Sequence, residues 1–132
     1  MQAIQAQPQK DPKRIASAAL QVFFNLSEKW ELQAKEERVL LGDPAESTFY
    51  AWKAERAASK LSRDTLERIS YLMGIYKALN ILLPNEQSAN EWLKKPNEAP
   101  MFSGDTALNR MLAGNVSDLS DVRRYLDAWR GI

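Results

Sequence analysis

The longest helical pattern of apolar residues in the chain runs from Leu61 to Pro84. Ser62 is suited to cap the start of this helix, and Pro84 cannot continue it because proline lacks a backbone N–H. The apolar residues fall into two stripes at helical spacing. The first stripe consists of Leu66, Ile69, Leu72, Met73, Tyr76, Leu79 and Leu83, and the second consists of Tyr71, Ile75, Ala78 and Leu82. Since an ordinary surface helix has one stripe, we expect the residues before and after this helix to cover it from two sides.

A first helix is predicted from Asp11 onwards, with Asp11 as its cap and Pro12 in its first turn. Its apolar residues recur at helical spacing and define one buried face, formed by Ile15, Ala18, Ala19, Val22, Phe23, Leu26 and Trp30. A second helix is predicted over residues 34–41, with an exposed face formed by residues 35–38. Gly42 ends this helix, and we expect it to adopt the left-handed conformation that glycine tolerates without strain.

The third helix is predicted to begin directly after this glycine. Asp43 is suited to be its cap, Pro44 to occupy its first position, and Glu46 to complete a capping box. Phe49 and Trp52 lie three residues apart and are expected to face the core.

Two short helices joined by a glycine turn form a helix-turn-helix pattern. The outer side of the second of these helices carries groups that can meet base edges and phosphates in a major groove, and we predict DNA contacts for Ser47, Thr48, Tyr50, Lys53 and Arg56. The alternative is a purely structural corner of two helices, which the acidic Glu46 and Glu55 beside this face favour. A chain with so few cations on the face would need to bind as a dimer to two half-sites.

The second half of the chain also follows a helical pattern. Short helices are predicted over residues 85–95, from a cap within residues 103–105, and from Ser117, with an irregular segment over residues 96–100. The last helix has a stripe formed by Leu119, Val122, Leu126 and Trp129, and Gly131 ends it. The predicted fold class is therefore all-α.

Composition narrows the possible chemistry. The chain of 132 residues has no cysteine and no histidine, which excludes disulfides, thiol or imidazole nucleophile chemistry, and zinc sites that need these ligands. We expect no catalytic residues, no metal and no cofactor. The net charge of +1 means that DNA binding must depend on local placement of charge. Residues 1–10 are polar and glutamine-rich, and we expect a disordered lead-in without an export signal, no membrane association, and a cytoplasmic location.

The second half resembles the toxin-binding domain of the Xre/MbcA/ParS antitoxins. The similarity lies in an ordered set of short motifs: Trp92-Leu93, Pro96-Asn97, Met101-Phe102-Ser103-Gly104, Leu108-x-x-Met111-Leu112-x-Gly114 and Val122-x-x-Tyr125-Leu126. The first half is similar to the Xre-type helix-turn-helix that accompanies this domain, through Trp30-x-Leu32, Glu36-Glu37, Leu40-Leu41-Gly42, Ser47-Thr48-Phe49-Tyr50-x-Trp52-Lys53, Leu61-Ser62 and Gly74-Ile75-Tyr76-Lys77-Ala78-Leu79.

The resemblance implies a bacterial type II antitoxin with a helix-turn-helix domain over residues 11–84 and a toxin-binding domain over residues 85–132. It implies a homodimer that binds operator DNA and blocks a co-encoded toxin of the RES class, which degrades NAD. The residues expected to contact the toxin are Arg123, Arg130, Gly131 and Ile132, because an arginine and a carboxylate on a short tail can reach into a cleft made for a nucleotide. The alternative for this tail is simple fraying.

Two features depart from the family pattern. Gln33 stands where the family often has a Ser or Thr cap, so the second helix is expected to start loosely. The turn over residues 42–44 has one residue more than the commonest spacing, which is expected to shift the DNA contacts. The alternative function is a helix-turn-helix transcriptional regulator without a toxin partner, and an enzyme is the least favoured class.

Overall fold

The computed structural model describes residues 11–132, and within this range the protein is all-α, as predicted. The predicted lead-in over residues 1–10 lies outside the described residues. The helices are α1 (Pro12–Trp30), α2 (Ala34–Leu40), α3 (Glu46–Glu55), α4 (Arg63–Leu82), α5 (Glu86–Glu91), a 3-10 turn (Trp92–Lys94), α6 (Ala107–Met111) and α7 (Val116–Arg130). An isolated bridge between Pro96 and Thr106 is the one β-type pairing along residues 11–132.

Helix α4 is the centre of the fold. It packs against α1, which precedes it, and against α5 and α7, which follow it, so the predicted cover from both parts of the chain is present. Leu72, Ile75 and Leu79 are completely buried, and burying each such side chain contributes about 1.5–3 kcal/mol. Residues of both halves thereby form a single apolar core around α4.

The ends of α4 follow the sequence signals. The Ser62 Oγ accepts a hydrogen bond from the Thr65 backbone N–H at 3.1 Å, which satisfies one of the free donors of the first turn. The helix ends at Leu82, two residues before Pro84. Both ends are therefore determined locally, by a cap and by a residue that cannot continue the helix.

Gly74 allows α7 to approach α4 closely. A Cβ atom built at this position would lie 1.5 Å from Nη1 and 2.5 Å from Cζ of Arg123, which belongs to α7. The missing side chain therefore leaves the space in which the Arg123 guanidinium lies. Any larger residue at position 74 would displace this arginine.

Helix α1 buries most of the predicted face, including Phe23, Leu26 and Trp30, but also a second side that was not predicted. Asp11 is the cap, and its Oδ1 accepts hydrogen bonds from the backbone N–H groups of Lys13 and Arg14. The buried residues, however, are Ala16, Leu20, Phe23, Phe24, Leu26, Ser27 and Trp30, while Ile15 and Ala18 are exposed. The reason is that α1 has two neighbours: Trp30 lies against Tyr76 of α4, and Phe24 turns towards Phe49 of α3, with ring centroids 6.2 Å apart.

The C-terminal region is built from short helices and one ordered loop. Asn85 caps α5, and the helix predicted over residues 85–95 is divided into α5 and the 3-10 turn. Backbone hydrogen bonds between Asn97 and Asp105 and between Gly104 and Asn97 close the loop that follows and hold Phe102 in the core. The cap of α6 is Thr106 and not a residue of 103–105 as predicted, because the loop extends this far.

Two carboxylates of this region, those of Asp105 and Glu86, form hydrogen bonds that shift the pKa of one of the partners. Hydrogen bonds from the Asn109 side chain and the Thr106 backbone lower the pKa of Asp105, which stabilises the end of the loop. Lys29 of α1 donates a hydrogen bond to Glu86 of α5 at 3.3 Å, and this contact raises the pKa of the lysine. The second contact joins the two halves of the chain at the surface.

Candidate nucleic-acid and protein interfaces

The turn between α2 and α3 is longer than predicted. Gly42 is left-handed as expected, with φ of +97°, but Asp43 is left-handed as well, with φ of +60°. Arg38 also holds the turn, because its Nε donates to the Pro44 carbonyl oxygen at 2.7 Å. The predicted start of α3 at Asp43 is therefore wrong: the helix begins at Glu46, and Ala45 at its N-cap makes no side-chain hydrogen bond.

Helix α2 has a firm start, contrary to the expectation from Gln33. The Gln33 backbone N–H donates to Glu36 Oε1 at 2.8 Å, so the helix supplies its own cap from its third position. The position without Ser or Thr therefore does not loosen the helix.

The outer side of α3 presents three exposed hydroxyl groups, those of Ser47, Thr48 and Tyr50. Tyr50 has about half of its surface exposed, at 51%. Phe49 is buried as predicted, but Trp52 is only half-buried. Trp52 nevertheless packs against the core as predicted, and Phe24 of α1 also lies beside Phe49, with ring centroids 6.2 Å apart.

Lys53 pairs with a buried carboxylate, although its own side chain is 41% exposed. Its Nζ donates to Glu37 Oε1 at 2.7 Å, and the Ser27 hydroxyl donates to the other oxygen of Glu37 at 2.5 Å. Glu37 is only 4% exposed, so the prediction of an exposed face over residues 35–38 is wrong at this position. The three residues come from α1, α2 and α3, and their hydrogen bonds join these helices.

The sequence did contain a signal for the burial of Glu37. It precedes Leu40 by three residues and Leu41 by four, which places it on the apolar side of α2. A carboxylate at such a position needs a partner, and the periodicity alone does not identify Ser27 and Lys53 as that partner.

Arg56, the last predicted DNA contact, also faces α1. It follows the end of α3 in a left-handed conformation, with φ of +53°. Its guanidinium donates to Asn25 and to Glu28, each at 3.0 Å, and its Cζ lies 5.4 Å from the Phe24 ring centroid. The structure thus groups Ser47, Thr48 and Tyr50 on the surface and ties the two cations to α1 and α2.

The predicted toxin contacts lie in the middle of α7, at Arg123, and at its end, from Arg130 to Ile132. Arg123 and Arg130 both approach Asp127, at 3.1 Å and 3.8 Å, and both line a groove between α4 and α7. Lys77 adds a third cation to this groove, whose other lining residues are Ser70, Met73, Gly74 and Ile81. The groove therefore has a positively charged rim and a glycine at its floor.

The last turn of α7 is closed by its glycine. Gly131 is left-handed, with φ of +85°; its N–H donates to the Ala128 carbonyl, and that of Ile132 donates to the Asp127 carbonyl. These two hydrogen bonds form a Schellman motif, which satisfies carbonyl groups of the last turn. The Ile132 side chain remains 76% exposed.

None of the helices within residues 11–132 is long and apolar enough to cross a membrane. In the same part of the chain, acidic residues do not form a cluster of three or more that could hold a metal ion.

Comparison with known proteins gave matches to both halves of the chain. The family model of the antitoxin Xre-like helix-turn-helix domain matches residues 11–74. The model of the antitoxin Xre/MbcA/ParS C-terminal toxin-binding domain matches residues 78–131. The chain is also similar to the uncharacterized protein y4oB of Sinorhizobium fredii (strain NBRC 101917 / NGR234), with 44% identity over 124 residues, covering 94% of this chain and 92% of the relative.

The buried Glu37 makes a specific prediction for Lys53. We expect Lys53→Met to lower the free energy of unfolding by about 1–3 kcal/mol, because it leaves a buried carboxylate oxygen without its charged donor. The double variant Glu37→Gln/Lys53→Met should recover part of this loss, because it removes the unpaired charge. Urea unfolding followed by circular dichroism measures both.

Lys35→Met is the matched control, since Lys35 is an exposed lysine of α2 without an ion-pair partner among residues 11–132. An equal and small effect of Lys53→Met and Lys35→Met would contradict a structural role for the Glu37 contact.

Proposed function

The chain belongs to the Xre/MbcA/ParS antitoxins, and from this premise we propose that it neutralises a co-encoded RES-class toxin that degrades NAD and represses its own operon by binding DNA. The antitoxin role itself follows from the two matched domains, which occur in the family's order. Neither domain is of an enzymatic type. The observation that carries the proposal is this pair of matches across nearly the whole chain.

We assign the two activities to two regions. We assign DNA binding to residues 11–84 and toxin binding to residues 85–132. The end of α4 is shared between the two regions, because the toxin-binding match already begins at residue 78. The candidate DNA surface lies on α3, and the candidate toxin surface lies at the end of α7. Because these elements are different, a substitution on one surface need not alter the other. Because operator DNA and a co-encoded toxin are both reached in the bacterial cytoplasm, the proposed function also implies a cytoplasmic location.

The DNA surface that we propose consists of Ser47, Thr48 and Tyr50, with Lys53 and Arg56 at its end. The hydroxyl groups can donate to phosphates and can both donate to and accept from base edges. The two cations are each shared with a carboxylate, so they add less positive charge than free side chains would. A homodimer reading two half-sites compensates for this weak charge.

The toxin surface that we propose includes Arg123, Arg130, Gly131 and Ile132. The arginines supply positive charge beside Lys77, and this charge suits a toxin site that accepts an anionic dinucleotide. The exposed Ile132 follows directly and can add an apolar contact. This arrangement lets the end of α7 occupy the entrance of the toxin's substrate cleft.

The toxin activity is tested by growth and cellular NAD in a host that expresses the adjacent open reading frame. We expect growth arrest and loss of NAD with this product alone, and recovery of both when the present protein is co-expressed. Growth arrest with unchanged NAD would overturn the RES class and leave the antitoxin role. A harmless neighbour would contradict the toxin pairing and favour a stand-alone helix-turn-helix regulator.

DNA binding is tested by fluorescence anisotropy with labelled DNA from upstream of the operon. The triple variant Ser47→Ala/Thr48→Ala/Tyr50→Ala should bind at least roughly tenfold more weakly, because each lost hydrogen bond typically contributes about 0.5–1.5 kcal/mol. These side chains are exposed, so the fold should be retained. Ser117→Ala, which removes an exposed hydroxyl of α7, is the control. Equal affinity of the triple variant and the control would contradict the proposed DNA surface.

A further inference from the structure

Four aromatic residues form a connected cluster on the side of α7 that faces the loop over residues 95–106. Trp92 contacts three of these rings, with centroid distances of 6.0 Å to Phe102, 6.2 Å to Tyr125 and 6.4 Å to Trp129. Phe102 and Tyr125 meet edge to face at 5.3 Å. The cluster extends from the buried Phe102 to Trp129, which is 48% exposed. The prediction that Trp129 belongs to the core stripe of α7 is therefore wrong, because it lies at the outer edge of this cluster.

A depression adjoins the cluster and has an apolar centre with a charged rim. Met101, Tyr125 and Ala128 line its centre, while Arg110, Asp121 and Arg124 line the remainder, and its volume is about 370 Å³. Arg110 fixes the rim, because its guanidinium donates to Asp118, to Asp121 and to the Met101 carbonyl oxygen. The loop that carries Met101 is thereby held against α7, and the depression exists before any partner binds.

Arg124 is the polar group of this rim that remains available. Its side chain is 76% exposed, and its contacts to Asp121 and Ser120 are long, at 3.5 Å and 3.4 Å. It can therefore form a bidentate pair with a carboxylate of a partner at little cost.

The cluster differs from the other exposed apolar side chains within residues 11–132. Ile15 and Ile81 are single exposed residues on different helices, which is normal, and Ile132 follows the end of α7. Tyr50 does end a cluster of four rings, formed with Phe49, Phe24 and Phe23. The cluster that ends at Trp129 differs because one of its rings, that of Tyr125, lines a preformed depression. Tryptophan, tyrosine, methionine and arginine around an apolar centre are the residues that supply most of the binding energy in protein interfaces.

We propose that Met101, Arg124, Tyr125, Ala128 and Trp129, here called the aromatic patch, are the centre of the toxin-binding surface, an inference that rests on the proposed function. The patch lies entirely within residues 78–131, the range matched by the toxin-binding domain, and it directly precedes the proposed tail contacts. The partner segment that fits it has an apolar side chain for the depression and a carboxylate for Arg124. The tail contacts are then peripheral, and the patch supplies most of the affinity.

The test uses the full chain and the purified product of the adjacent open reading frame, with the dissociation constant measured by biolayer interferometry. Trp129→Ala should weaken binding at least roughly 30-fold, as expected for the centre of an interface. Ala128→Arg should do the same by filling the depression, and it should fold because position 128 is exposed and arginine is a good helix former. Ile15→Ala, which truncates an exposed apolar residue of α1, is the control and should bind like the wild type.

Circular dichroism melts identify a variant that fails to fold. If Trp129→Ala fails to fold, Ala128→Arg alone decides the test. If the wild type binds the toxin and the variants bind with a dissociation constant within about threefold of it, the aromatic patch is not the centre of the toxin-binding surface, while the antitoxin function stands. Absence of binding by the wild type would overturn the proposed function and this inference together. Variants that lose self-association in analytical ultracentrifugation but still bind the toxin would assign the patch to a second copy of the chain and overturn the inference.

Discussion

The burial of α4 from both sides is the constraint on which the structure depends. A helix with two apolar stripes cannot remain exposed on either, and here α1 covers it from one part of the chain and α5 and α7 from the other. The segment after Pro84 is short, and segments of about 50 residues seldom build a sufficient core alone. The two matched family ranges end at residue 74 and begin at residue 78, both within α4. The functional regions therefore share a helix and a core.

The helices that carry the two candidate surfaces are positioned by contacts at the edge of this core. On the N-terminal side, Glu37 joins Ser27 and Lys53 and so fixes α3 relative to α1 and α2. On the C-terminal side, Gly74 leaves room for Arg123, and α7 lies close along α4. In both places a cationic side chain, that of Lys53 or Arg123, also makes a contact on which the packing of the helices depends. Lys53 and Arg123 therefore hold their helices in place in addition to lying at the surfaces proposed to bind partners.

Much of the fold could be predicted from local signals. The two stripes of α4, its Ser62 cap and Pro84, the Asp11 cap of α1 and the left-handed Gly42 and Gly131 depend on nearby residues, and the sequence contains all the information for them. The errors occurred where distant residues compete. Phe24 packs against Phe49 of α3 and extends the buried face of α1. The bond from Arg38 to the Pro44 carbonyl holds a longer turn before α3, and Trp129 packs against Trp92 at the exposed edge of an aromatic cluster. Periodicity assigns a residue to a face of its helix, but it does not predict which other elements pack against that face.

Residue-resolved urea unfolding by NMR tests the shared core most directly. If α4 unites both regions, the amide signals of α1–α3 and of α6–α7 should disappear with the same midpoint, because coincident transitions indicate one cooperative unit. A lower midpoint for α6–α7, with α1–α4 still folded, would contradict the account. In that case the C-terminal region would be attached to an independent helix-turn-helix domain and would not be part of its core.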